Sequence, residues 1–371
     1  MRPLPIGLDI GTTTVRLLQL AGTERDLRVV DAAKFVIPQD VKVLPERRRE
    51  VVTGGIRRIL KEHRFRGREV VMALAPGQLA IRNVRLPKMP EEERAAAVNW
   101  EAQNRFPFDT ATAIIQYLPA GEVRQGDQVL DEIIILAAPR AEVDAQMQWA
   151  LEAGLEVVSL DAEPCAVFRG FERFLRRRED EGVVSVMVDI GAQTTVVIAR
   201  GREIVFIKTI PIGGLVFNRA VAEYLELAVT EAEALRRRIG RRGRSSPATV
   251  LPDEQHQRVC RAVADAIRPH LEDLASEIAL CLRYHSVTFR GPRPESVTFT
   301  GGESHNVDTP TSLGERLGVE ARTGELFRAV KTDSLGHVLD RRGELAEWTT
   351  AFGLSLKGFY LAAQLAAGAV S

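Results

Sequence analysis

The chain has few of the groups that build redox or metal centres: 3 cysteines and 6 histidines in 371 residues. Cys165, Cys260 and Cys281 lie far apart, form no Cys-x-x-Cys pair and share no metal-ligand spacing with the histidines. This excludes a zinc ribbon or a disulfide framework and fits reduced thiols in a reducing compartment. Net charge is also absent, since Lys+Arg and Asp+Glu both number 50. A global positive field for non-specific nucleic-acid binding is thereby excluded. No apolar run approaches the roughly 20 residues that span a bilayer. Met1-Arg2-Pro3-Leu4-Pro5 leads at once into an apolar strand, without the basic and apolar regions of a secretory signal. The apolar tail from Phe359 to Val370 is short and has no basic residue, so it reads as a packed terminal helix and not a membrane foot. What remains is an ordinary globular composition, 45% apolar and 27% charged, in a chain long enough for roughly two domains.

Two short segments resemble each other. Ile6-Gly-Leu-Asp-Ile-Gly-Thr-Thr-Thr-Val15 opens the chain, and Val186-Met-Val-Asp-Ile-Gly-Ala-Gln-Thr-Thr-Val196 repeats its pattern in the second half. Each is an apolar strand, then Asp-Ile-Gly, a small polar turn and a second β-branched strand. Alternation and β-branched content extend each into a three-stranded meander, the first ending near Val36 and the second near Pro211. A repeated opening predicts an internal duplication. Helices are expected over Glu46–His63, Gly213–Tyr224, Glu231–Ile239 and Asp253–Arg290, with Pro269 expected to interrupt the last. Arg241-Arg-Gly-Arg-Ser-Ser-Pro247 reads as a solvated loop. Between the first meander and Asp161 lies a block read as strand (Val70–Ala75), strand (Ala80–Leu86), helix (Glu91–Arg105), strand (Ala113–Leu118), strand (Glu132–Ala138), helix (Glu142–Ala153) and strand (Leu155–Leu160). It is expected to form a small inserted α+β subdomain.

The repeated turns carry the chemistry. Glycine at a corner lets backbone approach a ligand, and successive N–H groups with threonine hydroxyls form a concave anion site. An aspartate at the preceding strand end can hold a hydrated magnesium ion. One such turn is weak evidence, but two in matching positions point to facing hairpins that clamp a nucleotide's phosphates. Three further segments fit such a site: Leu160-Asp-Ala-Glu-Pro-Cys-Ala-Val167 entering a helix, Phe299-Thr-Gly-Gly-Glu-Ser304 after a strand, and the small-residue helix Ala351-Phe-Gly-Leu-Ser-Leu356.

In order and spacing these five segments resemble the ATPase superfamily of actin, sugar kinases and heat-shock chaperones. The resemblance covers essentially the whole chain. It implies an α/β, two-domain actin-like ATPase fold of duplicated ribonuclease H-like domains, with the α+β subdomain inserted in the first. The implied boundaries are 1–66, the insertion 67–160, a connecting helix 161–182, the second domain 183–342 and a returning helix 343–371. It implies that Asp9 and Asp189 flank Mg2+ and the γ-phosphate of ATP. Gly11, Thr12, Thr13, Gly191, Gln193 and Thr194 would approach the phosphates. Glu163 matches a glutamate near the attacking water; Glu233 and Arg236 match the pair flanking the nucleoside. Gly213, Gly214, Gly301 and Gly302 match backbone contacts to the nucleotide. Two positions depart from the pattern. Glu303, counted with the nucleotide-binding residues, stands where a small residue is usual and would either contact ribose hydroxyls or weaken binding by repelling phosphate. Arg236 stands where lysine is usual.

Within the superfamily, Leu86-Pro-Lys-Met-Pro90, Glu91–Ala97, Trp100-Glu-Ala-Gln-Asn-Arg-Phe-Pro-Phe108 and Thr209-Ile-Pro-Ile-Gly-Gly214 resemble the pilus-assembly family PilM. The order is also similar to the cell-division protein FtsA, without its basic terminal helix. The resemblance implies a cytoplasmic protein recruited to the inner membrane by the N-terminal tail of a bitopic, PilN-like protein, beside other proteins of the pilus platform. The tail groove should involve the inserted block and its neighbour. ATP hydrolysis is expected to be slow. The alternatives are a small-molecule kinase of the same superfamily and a polymerising, FtsA-like protein.

Overall fold

The computed structural model describes residues 2–38, 45–75, 77–245, 254–291, 293–305, 308–332 and 344–368. In chain order the first half builds β1 (Pro3–Ile10), β2 (Thr14–Thr23), β3 (Asp26–Val36), α1 (Pro45–Glu62) and β4 (Glu69–Leu74). Then come β5 (Ala80–Pro87), α2 (Glu91–Arg105), β6 (Ala113–Gln125), β7 (Gln128–Pro139), α3 (Arg140–Glu152), β8 (Glu156–Ala162) and α4 (Glu163–Glu172). The second half builds β9 (Val184–Ile190), β10 (Thr194–Arg200), β11 (Glu203–Ile210), α5 (Gly214–Leu225), α6 (Val229–Ser245) and α7 (Glu254–Phe289). It continues with β12 (Ser296–Thr300), α8 (Asp308–Leu317), β13 (Glu320–Thr323) and β14 (Val330–Lys331), and α9 (Thr349–Gly368) follows.

The duplication is visible in strand order. One sheet runs β14-β3-β2-β1-β4-β8 and the other β11-β10-β9-β12-β13. Each holds an antiparallel meander followed by two parallel strands, and β14, from the span expected in the second domain, adds parallel to β3 at the first sheet's edge. The central strands are apolar on both faces, as a sheet covered by helices on both sides requires. On the first sheet, Ile6, Leu8, Val15, Leu17, Val70 and Met72 pack with Val52, Ile56 and Ile59 of α1 and Ala150 of α3. The other face packs Leu18, Leu20 and Val29 against Trp348, Ala351, Phe352 and Leu356 at the chain's return. In the second half, Val188, Ile198 and Phe299 pack with Phe217 of α5 and Leu274 and Ile278 of α7.

The inserted layer is smaller than its expected span of 67–160. Its sheet is three-stranded, ordered β5-β7-β6, with α2 laid on it through Val98 and Ala102. β4 and β8 instead extend the first sheet, with Val70 pairing both Ile6 and Val157. α3 packs in that sheet's core through Ala150 and, through Val143, also against Ala138 of β7. Local alternation identifies a strand but not the sheet it joins, because parallel partners lie far away in sequence.

Two other expectations change. Pro269 does not interrupt α7, which is continuous over 36 residues. The ring lies on the exposed face, and Ile267, Leu271, Leu274 and Ile278 are buried around it. That burial outweighs one lost backbone hydrogen bond. The basic stretch from Arg241 is helical to Ser245, since arginine is a good helix former and one glycine costs only about 1 kcal/mol. Ser246, Pro247, Asp253 and the expected boundary at 342–343 lie outside the described residues, as does Val370.

α4 and α9 join the halves. They cross at Gly353, where a Cβ would meet the Ala166 carbonyl oxygen at 1.8 Å. Glycine permits this approach, and Arg169 donates to the Gly353 carbonyl at 3.1 Å. Among the described residues no helix is long and apolar enough to cross a membrane.

Candidate functional site

β1 and β9 end in the two acidic turns. Gly11 N–H donates to Thr14 O at 3.1 Å, and Gly191 N–H donates to Gln193 O at 2.9 Å. The first turn is held from outside by Arg48 of α1, which donates to the carbonyls of Gly11 at 2.8 Å and Thr12 at 3.0 Å. The second is held by the start of α5: Gly214 N–H donates to Gly191 O at 2.8 Å and Leu215 N–H to Ala192 O at 3.3 Å. Gly214 therefore serves the turn with its amide rather than offering it to a ligand. A Cβ on Gly213 would sit 2.9 Å from the carbonyls of Gly191 and Ala192. Thr194, expected on the phosphates, is fully buried and donates its hydroxyl to Ile212 O at 2.6 Å. It braces the second turn instead. Thr12 and Thr13 stay half-open beside Gly11, and Gln193 beside Gly191.

Three carboxylates converge where the turns meet. Glu163 is the first residue of α4, whose start is favoured by Pro164. Its carboxyl is held well above the usual carboxylate range, first by burial and then by the negative charges of Asp189 and Asp9. A helix N-terminus favours negative charge by at most about 2 kcal/mol, and burial wins here. Asp189 is raised from 3.8 to about 6, chiefly by burial, although the Thr300 hydroxyl donates to it at 2.8 Å. Asp9 is also raised by burial, against the pull of Arg16. The charge of Asp9 thus acts on Asp189, and both act on Glu163.

The sequence reading missed the groups that hold this cluster. Arg16 lies opposite Asp9 in the β1–β2 register and pairs with it at 3.2 Å. It also pairs with Glu347 at 2.9 Å, and Lys34 reaches the same glutamate. A lone charge in the apolar run Val15-Arg-Leu-Leu18 was the available signal. In the second hairpin, Thr195 stands opposite Asp189, and its buried hydroxyl makes no hydrogen bond. Among the described residues no group of three or more His, Cys, Asp or Glu forms a protein-only metal cage. The arrangement suits a magnesium ion that keeps most of its water and needs one or two carboxylates. An orphaned hydroxyl beside an under-compensated aspartate is the kind of place such a hydrated ion would fill.

The nucleoside candidates gather at a second point. Gly301, at φ +87°, lies so close to β9 that a Cβ would be 2.6 Å from Ile190 O. The following turn, Gly302–His305, projects Glu303 toward α6. Arg236 of α6 pairs with Glu303, donates to Asn218 Oδ1 at 2.6 Å and lies 5.2 Å over the Phe217 ring. Glu233 is buried and pairs with Arg237 at 2.7 Å.

The sheets and the paired turns define an actin-like ATPase fold. The family model for the type IV pilus assembly protein PilM matches residues 7–359. The chain belongs to that family. A solved structure titled as a PilM–PilN type IV pilus biogenesis complex is similar at 26% identity and TM-score 0.77, covering 95% of this chain and 98% of that one. The ethanolamine utilization protein EutJ from Carboxydothermus hydrogenoformans shares the fold at 15% identity and TM-score 0.52, covering 96% of this chain and 90% of that one. No curated protein matches the sequence.

Proposed function

We propose that this chain binds ATP with Mg2+ between its two acidic turns and holds the cytoplasmic N-terminal tail of a PilN-like inner-membrane protein. It would thereby join the cytoplasmic side of a pilus machine to its membrane platform. The convergence of Asp9, Asp189 and Glu163 carries the nucleotide half of this reading. Magnesium bound there would neutralise phosphate charge. Asp9 and Asp189 would hold its water shell, while Gly11, Thr12, Thr13, Gly191 and Gln193 would line the phosphates. Slow turnover is the family expectation, with Glu163 at the start of α4 the residue that would orient the attacking water.

The partner half rests on family membership and on a groove. A cavity of about 530 Å³ opens between the inserted sheet and the second half. Its walls are Leu79 and the start of β5 (Ala80 to Asn83), β11 (Phe206 to Thr209) and Leu280, Cys281 and Tyr284 of α7. β5 and β11 are both sheet edges, and an extended peptide binds such edges through its backbone. Thr209 Oγ1 and Asn83 Oδ1 are buried there without partners.

Asp9→Ala and Asp189→Ala should each abolish magnesium-dependent ATP binding measured by calorimetry, with circular dichroism unchanged. Leu280→Asp, on an exposed groove wall, should weaken capture of a PilN-like tail peptide and leave ATP binding intact. Undiminished ATP binding in both aspartate variants would overturn the first half. Undiminished peptide capture by Leu280→Asp would overturn the placement of the tail.

A further inference from the structure

We infer that Glu303 is the acceptor for a nucleotide's ribose hydroxyls, so that this site selects ribonucleotides over deoxyribonucleotides. The inference rests on the nucleotide reading above. Glu303 and Arg236 form an ion pair in which the two partners are unequally exposed. The Arg236 side chain keeps 8% of its surface open and Glu303 keeps 21%. Arg236 is further covered by Phe217 and Asn218. The carboxylate, not the guanidinium, is thus the more open face of the pair.

Its position fixes which part of a nucleotide it meets. Glu303 Oε1 lies so near Gly214 that a Cβ there would be 2.5 Å away. Gly214 is hydrogen-bonded to Gly191 of the second acidic turn. The carboxylate therefore stands next to the turn assigned to the phosphates, where the adjoining part of a nucleotide is its sugar. A carboxylate repels phosphate oxygens but accepts from hydroxyl donors. Arg236 behind it donates to both of its oxygens and fixes its direction, and glycine at 214 leaves room for it. Small residues at position 303 could not supply that acceptor.

The test compares ATP with 2′-deoxy-ATP, each with Mg2+, by calorimetry on the full chain. Wild type should bind ATP about tenfold or more tightly, the usual worth of a hydrogen bond to a charged group. Glu303→Ala should bind both nucleotides about equally. Glu303→Gln keeps the shape and a neutral acceptor, so it should retain only part of the preference. Gln also preserves a partner for Arg236, which guards against loss of fold, checked by thermal melting. Equal binding by wild type, or an unchanged preference in a folded Glu303→Ala variant, would overturn the inference while leaving the nucleotide reading standing. Failure of wild type to bind either nucleotide would overturn both.

Discussion

Asp189→Asn should make the nucleotide-free protein more stable at neutral and alkaline pH, although it should abolish ATP binding. Burial raises Asp189 from 3.8 to about 6. A folded-state value above the unfolded one means that the ionised form is disfavoured by folding. The penalty is absent below pH ~4, grows as pH rises toward 6 and is fully present above it. With roughly 1.4 kcal/mol per unit, the penalty is about 3 kcal/mol at pH 8 and about half of that at pH 5. Asparagine is nearly isosteric and can still accept from the Thr300 hydroxyl, so the substitution removes the charge and little else. Loss of the negative neighbour also eases the ionisation of Glu163. Urea unfolding of wild type and variant from pH 5 to 8 reads the effect directly. The difference in unfolding free energy should favour the variant and grow with pH. A variant that is less stable at pH 8, or a difference flat across the range, would refute the electrostatic account of the site.

Arg16→Ala removes the cation between Asp9 and Glu347 and leaves Lys34 alone with Glu347; unfolding free energy should fall by about 3–5 kcal/mol. Gly353→Ala drives a methyl into the Ala166 carbonyl; a loss of about 3 kcal/mol, at the upper end for overpacking, should appear as a lower urea midpoint. Pro269→Ala restores a backbone donor on the exposed face of α7; it should add about 2 kcal/mol, the helix-interior penalty of proline less its stiffening of the unfolded chain.

The paired turns, both meanders and the connecting segments were legible because each is a local signal: alternation, a glycine corner, a proline in a helix's first turn. Sheet membership was not. β4 and β8 carry the same short apolar pattern as the strands of the insertion, and only the pairing of Val70 with Ile6 and Val157 separates them. Thr194 was read as a phosphate contact by its place in the motif. The fold turns it inward to the Ile212 carbonyl, and strand register alone decides which neighbouring threonine faces the cleft. Arg48 gave no signal because it stands in a run of arginines whose other members are exposed. Pro269 leaves α7 unbroken because the local effect of a proline does not include the burial of Ile267, Leu271 and Leu274 that flanks it. Glu303 was noticed as a departure, but its pairing with Arg236 joins residues far apart in sequence.

The duplication supplies two aspartates in equivalent places, yet the registers give them different partners. Arg16 stands opposite Asp9, and Thr195 stands opposite Asp189. One carboxylate has a built-in cation; the other accepts from the neutral Thr300 hydroxyl, and the Thr195 hydroxyl opposite it makes no hydrogen bond. Burial raises both, but Arg16 offsets part of the shift at Asp9, which also keeps 18% of its side chain exposed. In the proposed site a divalent ion therefore has more to compensate at Asp189 than at Asp9. The same asymmetry fixes the sign and order of two otherwise identical substitutions. Asp9→Asn should stabilise the nucleotide-free protein less than Asp189→Asn does, because it also deprives Arg16 of a charged partner. Urea unfolding of both variants at pH 8 ranks them, and an Asp9→Asn gain equal to or larger than the Asp189→Asn gain would show that Arg16 does not set the difference.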